Sequence, residues 1–278
     1  MIQINGLVKR YGSVVAVNGL NLDINQGEVF GLLGPNGAGK TTTIKILSCL
    51  SRPDEGRCFV GGFDVTRDSL RVKRLIGVVP QENNLDRELT CEENLKIYAM
   101  LHRVSNRQGK IKEALEAVGL LEKKDEVVSR LSGGLQRRLL IARAMLPDPK
   151  VLFLDEPSVG LDPQVRRQLW ELIRNIRWEG RTVIITTHYI EEAEALCDRV
   201  GIMSKGRLIA LGTPTVLKEQ VGRYVVEEHK GNGKVIYHMF HTREEANRYV
   251  KDCTCSVTIR EANLEDVFIQ ITGERIEP

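Results

Sequence analysis

The sequence predicts an α/β fold whose main sheet is mostly parallel, and three observations carry that expectation. Short apolar runs near residues 28–33, 74–80, 151–154 and 182–187 have the length and composition of buried strands. Segments of helical period separate them, which implies crossover connections and places ligands at the carboxyl ends of the strands. The first run leads through Gly34-Pro35-Asn36-Gly37-Ala38-Gly39 into a helical stretch that begins at Lys40. Strand, glycine loop and helix in that order are what a phosphate-binding loop needs.

Ahead of this core, Ile2, Ile4, Leu7 and Val8 recur on an alternating pattern that residues 14–24 repeat. Both suit antiparallel strands turning at Tyr11-Gly12. The helix after the glycine loop is expected over residues 40–50. Between about 85 and 130 the pattern turns helical, with Leu95, Tyr98, Ala99 and His102 on one face and Ile111, Leu115 and Val118 on another. Gly133-Gly134 opens a further helix to Leu146, stopped by Pro147 and Pro149. Residues 85–146 therefore read as a helical insert.

The run at 151–154 ends at Asp155-Glu156, and Asp162-Pro163 supplies a capping residue and a first-turn proline for the next helix. That helix carries Val165, Leu169, Leu172, Ile173 and Ile176 on one stripe. The strand at 182–187 ends at His188. Past Gly212-Thr213-Pro214 the texture changes: strands near 223–228 and 234–240 around a Gly231-Asn232-Gly233 turn, a polar helix at 243–251, a strand at 256–260 and a last helix at 263–271. The division falls near Gln220, giving a nucleotide-binding unit at 1–220 and a small α+β unit at 221–278.

Of the 278 residues, 42% are hydrophobic and 28% charged, which argues against disordered and collagen-like classes. The 40 basic and 37 acidic residues leave a net charge of +3, too little to argue for direct contact with nucleic acid. No apolar run approaches the roughly 18–20 residues of a membrane-spanning helix, and residues 1–10 lack the apolar core of a signal peptide. The expectation is a cytoplasmic protein whose membrane contact, if any, comes through a partner. The six cysteines include one Cys-x-Cys pair and no zinc-type spacing, so they read as reduced thiols.

Gly34 to Thr41 satisfies G-x-x-x-x-G-K-[ST]. Glycines let backbone N–H groups turn inward around phosphate oxygens, and the following helix N-terminus adds its partial positive charge. In such a loop Lys40 reaches the β- and γ-phosphates and the Thr41 hydroxyl ligates Mg²⁺. Asp155 and Glu156 close a buried strand, where one carboxylate can hold the metal shell and the other can orient or deprotonate water. Taken alone, an Asp-Glu pair at a strand end is ordinary helix-capping chemistry.

With Leu131-Ser132-Gly133-Gly134-Leu135-Gln136 and Leu152-Phe153-Leu154-Asp155-Glu156-Pro157 added, residues 1–217 resemble the nucleotide-binding subunit of an ATP-binding cassette (ABC) transporter. The resemblance implies a P-loop NTPase core with an antiparallel β subdomain, and ATP and Mg²⁺ as cofactors. Asn36, Gly37, Ala38, Gly39, Lys40, Thr41 and Thr42 would cradle the phosphates, and Tyr11 would stack on the adenine. Gln81 would join Thr41 and Asp155 around the metal and the water. Glu156 would be the general base, His188 would contact the γ-phosphate, and residues 158–162 would cross toward the opposite subunit. Ser132 and Gly134 would bind a nucleotide held by a second copy, making a head-to-tail dimer part of the mechanism. Leu135 departs from the family pattern, which has glutamine there.

Residues 187–200 and 263–273 resemble the drug- and polysaccharide-exporting branch, in which a separate ATPase homodimerises beneath integral membrane subunits; lipid, sodium and haem-related export stay open. So does a soluble ABC ATPase acting on nucleic acid or the ribosome. Against that alternative, the chain has a single phosphate loop and no sustained heptads before the signature. A small-molecule kinase would have no reason to contain residues 131–134.

Overall fold

The computed structural model describes residues 1–178, 180–230 and 235–273. The chain opens with a long hairpin, β1 (Ile2–Tyr11) and β2 (Val14–Ile24), followed by the buried β3 (Val29–Leu33) and α1 (Lys40–Leu47). Next come β4 (Glu55–Val60), β5 (Phe63–Asp64), α2 (Ser69–Leu75) and β6 (Ile76–Val79). The helical stretch holds α3 (Cys91–Leu101), α4 (Arg107–Ala117) and α5 (Gly133–Met145). The core resumes with β7 (Val151–Asp155), α6 (Pro163–Trp178), β8 (Thr182–Thr187), α7 (Ile190–Leu196), β9 (Arg199–Ser204), β10 (Arg207–Gly212) and α8 (Pro214–Val221). The last elements are β11 (Tyr224–His229), β12 (Val235–Phe240), α9 (Arg243–Lys251), β13 (Ser256–Glu261) and α10 (Leu264–Thr272).

The central sheet runs β10-β9-β3-β8-β7-β6 and is parallel from β9 to β6, with β10 antiparallel at the edge. Its middle strands are buried on both faces, which is why they read as unbroken apolar runs. Leu152, Leu154, Val183 and Ile185 pack into a core shared with α3 to α7. Val151, Phe153 and Ile184 point the other way, into a second core closed by α1 and the antiparallel sheet β2-β1-β4-β5. The third sheet, β12-β11-β13, carries α9 on its strands. Helix α10 leaves this sheet and packs on α8 and α7, burying Leu264, Val267 and Phe268 in the first core. The glycine-asparagine turn expected at 231–233 lies outside the described residues.

Three local differences from the sequence reading have physical causes. Helix α1 stops at Leu47, short of residue 50: the Ser48 hydroxyl donates back to the Ile44 carbonyl, and Cys49 turns left-handed at φ 59°. Strand β1 runs on through Tyr11, which pairs with Val14. Strands β4 and β5 and the short α2 bury only a few side chains each, so their sequences show no clear period and give no signal.

Candidate functional site

The carboxyl ends of β3, β7 and β8 bring Lys40, Asp155, Glu156 and His188 into one buried cluster. Gly39 turns the chain into α1 at φ 102°, where a Cβ would lie 2.4 Å from the Ala16 carbonyl oxygen. Only glycine fits there. Among the described residues, no hydrogen bond is made by the backbone N–H groups of Gly37, Gly39, Lys40, Thr41 and Thr42. Free N–H groups at a glycine loop and helix start form an anion cradle.

Lys40, 4% exposed, donates to the carbonyls of Gly34 (2.7 Å) and Pro35 (3.1 Å) and stands 3.3 Å from Glu156 Oε1. Burial pulls its ammonium below the usual lysine value, and Glu156 pushes back. The other Glu156 oxygen is 3.3 Å from His188 Nδ1, close enough for charge interaction, yet that nitrogen makes no hydrogen bond. The ring therefore faces the site with an unspent polar atom. Glu156 itself sits at φ 46°, a left-handed backbone that costs a non-glycine residue about 1–3 kcal/mol and clusters at functional sites.

The Thr41 hydroxyl lies 3.0 Å from Asp155 Oδ1 and donates to it. Thr186, on the neighbouring strand, donates to the same oxygen and accepts from the Glu156 N–H at 3.0 Å. A threonine hydroxyl beside a carboxylate, both hard oxygen donors, suits the shell of Mg²⁺.

Other expected residues lie apart from this cluster. Tyr11 is 49% exposed at the tip of the β1–β2 hairpin, with Val14 and Val15 exposed beside it, and β2 reaches the loop at Ala16. Asn36 is exposed, whereas Ala38 is buried in the second core. Gln81, past the end of β6, is exposed, and its side chain makes no hydrogen bond among the described residues. Ser132 caps α5 through the Leu135 N–H and is exposed with Gly133. Gly134 is buried, and a Cβ there would come 2.3 Å from Val165 Cγ1. Among the described residues, no hydrogen bond links 131–136 to 34–42. The unusual Leu135 packs against the first core, and the Gln136 amide folds back onto the carbonyls of Leu131 and Val128.

Three residues escape a reading of the sequence. Thr186 orders the acidic pair as described. Glu192, fully buried on α7, accepts from Ser158 Oγ and from Trp170 Nε1 (3.1 Å), tying the loop after Glu156 to the helix after His188. Burial raises its pKa, opposed first by the Ser158 hydroxyl. Arg137 is buried and bonds only backbone carbonyls. None has a motif signal, because each acts through a partner distant in sequence.

The family model described as ABC transporter matches residues 17–159, more than half of the chain. The chain belongs to the ABC transporter family. Relatives of this ABC protein include the Nod factor export ATP-binding protein I of Burkholderia orbicola, 38% identical over 99% of this chain and 98% of that one. The daunorubicin resistance ATP-binding protein of Streptomyces coeruleorubidus is 44% identical over 80% of this chain and 71% of its own. Among solved structures, cbiO1 of Clostridium perfringens, part of the cbiONQ complex, matches with TM-score 0.71 and 30% identity, over 76% of this chain and 88% of that one. A dimeric cassette in a post-hydrolysis state with ADP and Pi matches with TM-score 0.69 and 28% identity, over 77% and 98%. The ABC protein is thus a nucleotide-binding ATPase, and the cluster lies where its glycine loop enters α1 (Lys40) and at the end of β7 (Asp155 and Glu156). No helix among its described residues is long and apolar enough to cross a membrane.

Proposed function

We propose that two copies of this ABC ATPase close head to tail around two Mg-ATP and drive export through membrane subunits. The observation that carries the reading is the split site. On the loop side Lys40, Asp155, Glu156 and His188 form a buried cluster, while the Ser132–Gly134 helix start is exposed at its first two residues and makes no bond to its own loop among the described residues. A helix N-terminus with free N–H groups and a capping serine is a phosphate receptor in want of a phosphate. A second copy supplies one.

In this reading Tyr11 stacks on adenine, the N–H groups of 36–42 hold the phosphates, and Lys40 exchanges its contact with Glu156 for the γ-phosphate. Thr41, Asp155 and, once the subunits close, Gln81 would hold Mg²⁺, whose charge would offset the negative charge of the phosphates. Glu156, released from Lys40, takes the proton of the attacking water, and His188 meets the γ-phosphate through its free edge. The export and drug-resistance roles of the Nod factor and daunorubicin relatives support export, and the cbiONQ membership of cbiO1 supports membrane partners that hold the ATPase at the cytoplasmic face. Residues 1–220 would be the ATP-binding unit and 221–278 an appended unit anchored through α10.

Glu156→Gln tests the assignment. Hydrolysis should fall by about 10²-fold or more, the usual weight of a general base, while ATP binding persists and size exclusion shows an ATP-dependent dimer. Hydrolysis at the parental rate removes Glu156 as the base.

A further inference from the structure

Arg137 lies one turn into α5, behind the Ser132 cap, and is 8% exposed. Its guanidinium faces backbone oxygens alone. Nε donates to Pro157 O (2.8 Å), one terminal nitrogen to Asp155 O (3.0 Å) and Glu156 O (2.6 Å), and the other to Pro80 O (2.6 Å) and Gln81 O (3.2 Å). A guanidinium has five N–H donors in a rigid plane, and here every one has a carbonyl.

The carbonyls come from two places. Pro80 and Gln81 follow β6; Asp155 ends β7, its parallel neighbour in the sheet, and Glu156 and Pro157 follow it. Both segments leave the ladder at this point, so their carbonyls take another donor. One of them contains the left-handed Glu156, a conformation that persists only where its surroundings hold it. A single side chain thus pins the base's backbone and the Gln81 backbone to the helix whose start is the exposed phosphate receptor.

We propose that Arg137 is a positioning residue for hydrolysis: it fixes Glu156 and Gln81 relative to α5, so that seating of the Ser132 end on a nucleotide sets the base. The inference rests on the function proposed above and adds the part that links its two halves. Lysine cannot replace the fork, because a point ammonium has three donors and no plane.

The test is a double-mutant cycle with the full-length chain, reading ATP affinity, kcat and Tm. Arg137→Gln should lower kcat at least tenfold with ATP affinity within twofold, and Arg137→Lys should fall between it and the parent. In the Glu156→Gln background, Arg137→Gln should cause no further loss, since the group it positions is gone. Equal loss in both backgrounds overturns the proposal, as does an unchanged kcat. If Arg137→Gln does not fold, Arg137→Lys takes its place in the same cycle, with the same outcomes for and against. Failure of Glu156→Gln to lower hydrolysis would instead remove the functional reading beneath it.

Discussion

Two helices in this protein begin in glycine-rich sequence, and their surroundings are opposite. Helix α1 starts inside the fold, with Lys40 buried against Glu156 and Thr41 joined to Asp155. Helix α5 starts at the surface, with Ser132 and Gly133 exposed. The same local chemistry, glycines and free N–H groups at a helix start, is backed by a buried side-chain cluster in one place and faces the surface in the other. Buried charges need partners, and behind α1 Lys40 finds one in Glu156. In the proposed reading the open end of α5 is where the nucleotide of a second copy seats, so that each chain would carry half of each site.

Breaking the finished half should do most. Lys40→Ala removes the cation of the loop and leaves Glu156 buried without its ion partner, a change that typically costs about 3–5 kcal/mol. Nucleotide retention on a filter or by calorimetry should vanish, and Tm should drop. Breaking the open half should leave the monomer intact. Ser132→Asp keeps a good N-cap but sets a carboxylate against an incoming phosphate. ATP binding to the loop should be preserved, while hydrolysis falls by about 10²-fold, the scale of a lost electrostatic contact in a transition state.

The smallest effect probes the contrast from inside. Glu192 is buried with a raised pKa, so the native chain keeps a proton that the unfolded chain releases at a lower pH. Its contribution is fully present below the ordinary carboxylate value and is lost as pH rises through the raised one. Glu192→Gln, which keeps the acceptor for Ser158 and Trp170, should remove that slope. Melting curves of the two proteins should then diverge as pH increases, with the variant the more stable. Parallel curves would mean that Glu192 stays ionised in the fold.

Which residues are legible in the sequence follows from the same physics. Lys40, Thr41, Asp155, Glu156 and His188 stand at strand ends or on the loop, where apolar runs announce them, and the structure gathers them in one cluster. Four of the five parallel strands are legible because strands buried on both faces leave continuous apolar runs, whereas β9, with Arg199, Gly201 and Ser204 interrupting its apolar residues, is not. Nor are the half-exposed strands: β4 and the edge strand β10 alternate imperfectly and expose much of their length. Arg137, Thr186 and Glu192 are invisible for a different reason. Their partners, main-chain carbonyls for Arg137, the Asp155 carboxylate for Thr186 and the Ser158 hydroxyl for Glu192, lie 18 to 57 residues away, and sequence spacing carries no trace of such contacts. The helix α10 stripe of Leu264, Val267 and Phe268 is visible, but its burial against α8 is not.

Mixing two inactive variants gives the most direct measurement of whether each site is shared. Lys40→Ala and Ser132→Asp chains, each inactive alone, should regain about a quarter of the parental ATPase rate when combined one to one. Random pairing in a two-fold dimer makes half of the dimers mixed, and each of those keeps one intact site. A mixture that stays as inactive as its components would contradict a site built from both chains.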